Sequence, residues 1–165
     1  MTDGHATHRY TARLAWAGST AEGYDRYSRA HEATCASGDG EQTPKPPLPL
    51  SADPAFGGDP AKLNPEQLLV LAASSCQMLS FLAVAARARI DVTAYEDDAE
   101  GVMPEDDRPM RIARIVLRPQ ITIAGEAPDD ARLTQLVEAA HRHCFVANSL
   151  TTEIAIEPSF RRVPA

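Results

Sequence analysis

Asn64-Pro65-Glu66-Gln67-Leu68-Leu69-Val70-Leu71-Ala72-Ala73-Ser74-Ser75-Cys76-Gln77 sets the architecture of this chain. Asn64 suits an N-cap and Pro65 the first helical position, where no amide partner is needed. Glu66 falls at the positive end of the helix dipole, and Gln67 closes a capping box. The pattern predicts a long helix over residues 64–90, with Ala72, Cys76, Leu79, Ala83 and Ala86 in one stripe. Residues 68–86 carry no formal charge, which is enough length to span a bilayer core. Ser74, Ser75, Gln77 and Ser80 interrupt that run, and many of its apolar residues are only alanine. The better reading is a central helix buried nearly all round in a soluble protein, with no membrane partner.

Working outward, residues 8–18 alternate loosely through Tyr10, Ala12, Leu14 and Trp16 and end at Gly18-Ser19, a strand and turn. Trp16 is expected in the core. Tyr24 to Cys35 reads as a second, more polar strand. Residues 37–60 are rich in Gly, Pro and Asp, which predicts a loop with one short edge strand. Beyond the helix, 90–102 and 112–123 read as a hairpin around the acidic turn Pro104-Glu105-Asp106-Asp107. A second helix starts near Pro128-Asp129-Asp130, with Leu133, Leu136, Val137, Ala140 and Cys144 along one face. Residues 152–158 form a closing strand after the turn Val146-Ala147-Asn148-Ser149. The order β-β-α-β-β-α-β, without regular βαβ alternation, is α+β with a mostly antiparallel sheet. The whole of 1–165 reads as one domain: N-terminal strands and Pro/Gly-rich loop over 1–60, central helix over 64–90, then hairpin, second helix and final strand over 91–158.

Composition narrows the function. The chain has 165 residues, 44% of them apolar and 24% charged, with a net charge of −7. Nucleic acid is excluded as a partner, since phosphates need a basic face. The residues from Met1 to Arg9 contain no apolar run, so export is not expected. Three cysteines do not build the disulfide framework of a secreted domain. A reducing cytoplasm fits better.

Two of those cysteines are the candidates for chemistry. Cys76 and Cys144 each sit on the apolar stripe of a different helix. The thiolate is the nucleophile, and burial alone raises a thiol's pKa. Cys76 lies about three turns into its helix, too deep for the dipole to help much. A cation must therefore approach it, and arginine stays charged in an apolar site. Ten residues of helix separate Glu66 from Cys76 by roughly 15 Å, so one arginine cannot easily touch both along a single helix. Cys35 has no motif around it and reads as an incidental strand thiol. His141, His143 and Cys144 lack the close ligand spacing of a zinc site, so no metal and no cofactor are expected. His31 and His141 are secondary candidates for proton transfer.

The run from Asn64 to Cys76, with Ala140-His141-Arg142-His143-Cys144, resembles the OsmC/Ohr family of thiol-dependent hydroperoxide reductases. The likeness extends over about residues 51–158. It implies that Cys76 attacks the peroxide, Cys144 resolves it as a disulfide, and Glu66 holds an essential arginine brought in from the stretch before the helix, Tyr24-Asp25-Arg26-Tyr27-Ser28-Arg29, where Arg29 is the first candidate and Arg26 the second. It also implies an intertwined homodimer with sites at the interface, an organic hydroperoxide substrate, and a dithiol reductant, either lipoyl-type or a small thiol. Gln77 after Cys76, and Phe145 where the peroxide-active branch often has proline, depart from the family pattern. The alternative on the same scaffold is a non-catalytic small-molecule-binding protein with an apolar interface pocket.

Overall fold

The structure is a computed structural model that describes residues 7–21, 23–37 and 45–164. It divides into two compact units, Met1–Pro65 and Glu66–Ala165. Part of the expected 37–60 loop, residues 38–44, lies outside the described residues.

In the first unit, β1 (Tyr10–Ala15), β2 (His31–Ser37) and β3 (Leu48–Leu50) form an antiparallel sheet in that order. β3 is the edge strand expected inside the Pro-rich loop. The second strand starts later than the sequence suggested, at His31 rather than Tyr24. Residues 24–26 are instead a turn, entered through Gly23 at φ 94°, a left-handed conformation that glycine adopts without strain. Trp16 is not core. It is 43% exposed, donates Nε1–H to the Ser28 carbonyl at 2.7 Å, and meets Tyr27 edge-on. Asp53 organises the end of this unit. Its side chain caps the short 3-10 turn Pro54–Phe56 and accepts from Asn64 Nδ2 at 3.1 Å.

The second unit holds α1 (Pro65–Arg87), whose first residue closes the first unit, and α2 (Asp130–Arg142), capped by the Asp129 side chain on Arg132 N–H. Two three-stranded sheets accompany them. One runs β4 (Asp91–Asp97), β7 (Pro119–Ala124), β9 (Ser159–Val163); the other runs β5 (Glu100–Val102), β6 (Arg114–Leu117), β8 (Glu153–Ile156). The β4–β7 and β5–β6 pairs are antiparallel, and β8 and β9 add in parallel. The sequence suggested strands over 90–102, 112–123 and 152–158. The first two are each broken in two, and the third is β8 alone, with β9 following beyond it at the same level. Pro119 and Pro158 fall at that break and offer no ladder donor. Arg118 rivets it: its backbone N–H donates to Asp97 Oδ1 at 2.7 Å, while its guanidinium pairs with Glu100 at 2.9 Å and Glu157 at 3.3 Å. The other Asp97 oxygen accepts the Ser74 hydroxyl of α1.

α1 spans two core clusters. Ala73, with Leu69 and Val70 beside it, packs on Ile112, Ile115 and Leu117. Phe81 and Ala85 pack on Ile121, Ile123, Leu133, Val137 and Ala140. The buried stripe is Ala73, Gln77, Phe81 and Ala85, displaced by a residue from the expected Ala72, Cys76, Leu79, Ala83 and Ala86. Burial is on one face rather than all round: Leu71 and Leu79 are 58% and 60% exposed. Helical composition alone showed that α1 was apolar on several sides, without showing which side meets its own chain.

Candidate functional site

Cys76 sits at the edge of the buried face of α1, half-buried, with Ala73 in one cluster and Gln77 and Phe81 leading into the other. Cys144 follows the last turn of α2 and is 1% exposed. Both thiols are free. The sequence placed them on separate helices, and the fold brings them together. The Cys76 side chain is within hydrogen-bond reach of the Cys144 thiol. Burial is the largest influence on Cys144 and pushes its pKa up to about 11; the Cys76 side chain adds to the rise, and two backbone amides oppose it. Cys144 is therefore a neutral thiol at neutral pH.

Those amides come from the turn that follows Cys144. Val146 N–H points at Cys76 Sγ from 3.5 Å, and Ala147 N–H at Cys144 Sγ from 3.5 Å. Ser149 Oγ donates to the Phe145 carbonyl at 2.7 Å and Asn148 Nδ2 to the Arg142 carbonyl at 3.1 Å, which fixes the turn. Phe145 itself is 80% exposed beside the pair. Sequence reasoning missed these donors because a backbone amide has no residue signature. The polar run Ala147-Asn148-Ser149 after Cys144 was the available signal.

Three further polar groups belong to this neighbourhood. Gln77 is fully buried and donates Nε2–H to the Val137 carbonyl at 3.3 Å. Tyr95 has its hydroxyl buried; burial first, then the charges of Asp97 and Cys144, raise its pKa. His141 carries a buried Nδ1 without a hydrogen-bond partner among the described residues, and burial lowers its pKa, so the ring is neutral at pH 7.

The sequence-predicted arginines lie in the first unit. Arg29 donates Nη1–H to the Tyr27 carbonyl at 3.1 Å and Nη2–H to the Tyr24 carbonyl at 2.8 Å. Its guanidinium lies 4.6 Å from the Tyr24 ring centre and 4.3 Å from that of Tyr27. Arg26 is exposed. His31 places Nδ1 2.9 Å from the Arg29 carbonyl oxygen. Glu66 is half-buried in the first turn of α1. Cys35 is exposed on β2, opposite Ala12 of β1. Among the described residues no group of three or more His, Cys, Asp or Glu side chains is placed to hold a metal ion.

The site can now be set beside known proteins. The family model for OsmC-like protein matches residues 57–159. An OsmC-like protein of unknown function from Vibrio cholerae is 32% identical, with 92% of this chain and 99% of that one covered at a TM-score of 0.77. An organic hydroperoxide resistance protein from Legionella pneumophila shares the fold at 16% identity, with 94% and 98% covered and a TM-score of 0.65. One from Elizabethkingia anophelis does so at 16% identity, with 98% and 99% covered and a TM-score of 0.61. A comparison with curated proteins gives no match.

Proposed function

This chain belongs to the OsmC-like protein family, and from that premise we propose that it is a thiol-dependent peroxidase for organic hydroperoxides, serving antioxidant defence. The observation that carries the reading is the asymmetric thiol pair, Cys76 half-buried and Cys144 fully buried beside it. An accessible sulfur meets substrate, and a protected one waits to resolve it. The Cys76 thiolate attacks the peroxide, the O–O bond breaks, and the departing alkoxide takes a proton to become an alcohol. Cys76 is then a sulfenic acid. Cys144 attacks its sulfur, an S–S bond forms, and the hydroxyl leaves as water with the Cys144 proton. A dithiol, lipoyl-type or a small thiol, reduces the disulfide and is itself oxidised. In this reading Arg29 supplies the positive charge for the thiolate and the peroxide, and Glu66 offsets that charge. Renewed reduction of the pair suits a reducing cytoplasm.

The active form in this proposal is a homodimer. Leu71 and Leu79, exposed on the face of α1 opposite its buried stripe, supply an apolar surface for a second copy. A second copy also lets Glu66 and Cys76, roughly 15 Å apart on one helix, serve one arginine from different subunits. Sedimentation should show a dimer, and Leu79→Glu should shift it toward monomer. A stable, active monomer at assay concentration removes the shared-site arrangement.

Stoichiometric cumene hydroperoxide should consume two thiols per chain and yield cumyl alcohol. Peptide mapping should link Cys76 to Cys144 and leave Cys35 reduced. Cys76→Ser should abolish the reaction. Binding of the hydroperoxide without loss of thiols would instead favour a non-catalytic binding protein on this scaffold.

A further inference from the structure

The Val146 amide is placed unlike any other donor in the second unit. It reaches Cys76 Sγ across 70 residues of sequence, at 3.5 Å. The same N–H also acts on the Cys144 thiol, opposing the rise in its pKa. Ala147 N–H, the next along, donates to Cys144 Sγ at 3.5 Å. Within this turn Asn148, Ser149 and Leu150 N–H groups bond the carbonyls of Cys144, Val146 and Ala147. The two amides that could have gone to carbonyls are thus directed at sulfur. Their position is held from both ends, since the Val146 side chain packs against the cluster of Ala73, Ile115 and Leu117 and the Ser149 and Asn148 side chains tie the turn to Phe145 and Arg142.

We propose that the Val146 backbone N–H is a catalytic group of the thiol site, stabilising negative charge on Cys76. The proposal rests on the peroxidase reading for the reaction it serves, though not for the measurement that tests it. In the attack on peroxide the N–H holds the Cys76 thiolate. In the resolving step the Cys144 thiol gives its proton to the hydroxyl leaving Cys76, and its sulfur gains negative character while the S–S bond forms. The neighbouring Ala147 N–H, 3.5 Å from Cys144 Sγ, meets that charge. A charge-assisted hydrogen bond to a partly buried anion is stronger than a neutral one, which is why one amide suffices to bias ionisation. The titratable group facing the pair from another element is Tyr95 on β4, which feels the charges of Asp97 and Cys144.

The test alkylates Cys76 with iodoacetamide across pH, without peroxide, in a Cys35→Ser background, and reads the Cys76 peptide by mass spectrometry. Val146→Pro removes the N–H at a residue whose φ is −67°, a value proline adopts. Alkylation of Cys76 at pH 7 should slow by about tenfold, the effect of losing one hydrogen bond to a charged group, and the midpoint of the pH profile should rise. Val146→Ile, which keeps both the N–H and an apolar side chain at the packed position, should retain the wild-type midpoint. If thermal melting shows Val146→Pro unfolded, replacement of Val146 by its α-hydroxy acid deletes the N–H as an ester, and the same rise is expected. A folded variant of either kind with the wild-type midpoint overturns the proposal. Absence of peroxide turnover in the wild-type protein would instead overturn the peroxidase reading, and the alkylation result would stand apart from it.

Discussion

Two turns of this protein aim backbone groups at functional side chains, and they do so with opposite polarity. The turn after Cys144 directs two N–H groups at sulfur. The turn from Tyr24 to Arg29 directs two carbonyls at a guanidinium and adds two aromatic faces. Backbone dipoles make the contacts in both cases. The consequence differs. A thiolate met by amides is made more available, because the donors favour the anion over the thiol. Arginine is charged already, so carbonyls and rings change its position rather than its ionisation. The first turn tunes, and the second places.

The largest expected effect tests whether placement matters to the chemistry. Arg29→Met should lower the second-order rate with cumene hydroperoxide by about 10²- to 10³-fold, the scale for removing one preorganised charge contact from a dry site. Arg26→Met, at an exposed position, should do less. Equal rates for both variants and wild type would leave the amide turn as the whole of the activating machinery and end the comparison.

A smaller effect separates the two thiols within the tuned turn. Burial first, with Cys76 adding to it, raises the Cys144 pKa from 9.0 to about 11. A group whose folded pKa is raised stabilises the fold fully below its unfolded pKa and loses that contribution as pH rises through the folded value. Stability should therefore fall between about pH 9 and pH 11, by at most about 2.7 kcal/mol. Denaturant unfolding across that window should show the slope in wild type, and Cys144→Ala should flatten it. Cys35→Ser, at an exposed position, should leave it unchanged.

These outcomes bear on what a sequence can reveal. The Asn64-Pro65-Glu66 start of α1 was legible because N-terminal preferences are local, and the helix begins at Pro65 as they require. α2 was legible from its period, with Leu133, Leu136, Val137 and Ala140 all buried. The break in the sheet was not, although Pro119 and Pro158 marked it, because it depends on Arg118 bridging Glu100 and Glu157 from other strands. The nearness of Cys76 to Cys144 rested on family likeness, since no local rule joins residues on separate helices. The amides of Val146 and Ala147 were invisible for a deeper reason: every residue but proline carries that donor, and only the fold decides where it points.

The smallest effect asks which part of the second turn does the placing. Tyr24 contributes both a carbonyl, 2.8 Å from Arg29 Nη2, and a ring 4.6 Å from the guanidinium. Tyr24→Leu keeps the carbonyl and deletes the ring face. A partly exposed cation–π contact is worth ~0.5–1 kcal/mol, so the rate with cumene hydroperoxide should drop only about two- to fivefold. The Tyr27 carbonyl and ring remain in that variant, at 3.1 Å and 4.3 Å. Tyr27→Leu should therefore behave alike, and the double variant should lose the product of the two factors if the rings act independently. A loss in Tyr24→Leu as large as that in Arg29→Met would mean that the rings, not the carbonyls, fix the guanidinium. The symmetry between the two turns would then fail on the cation side, and backbone dipoles would be the rule for sulfur alone.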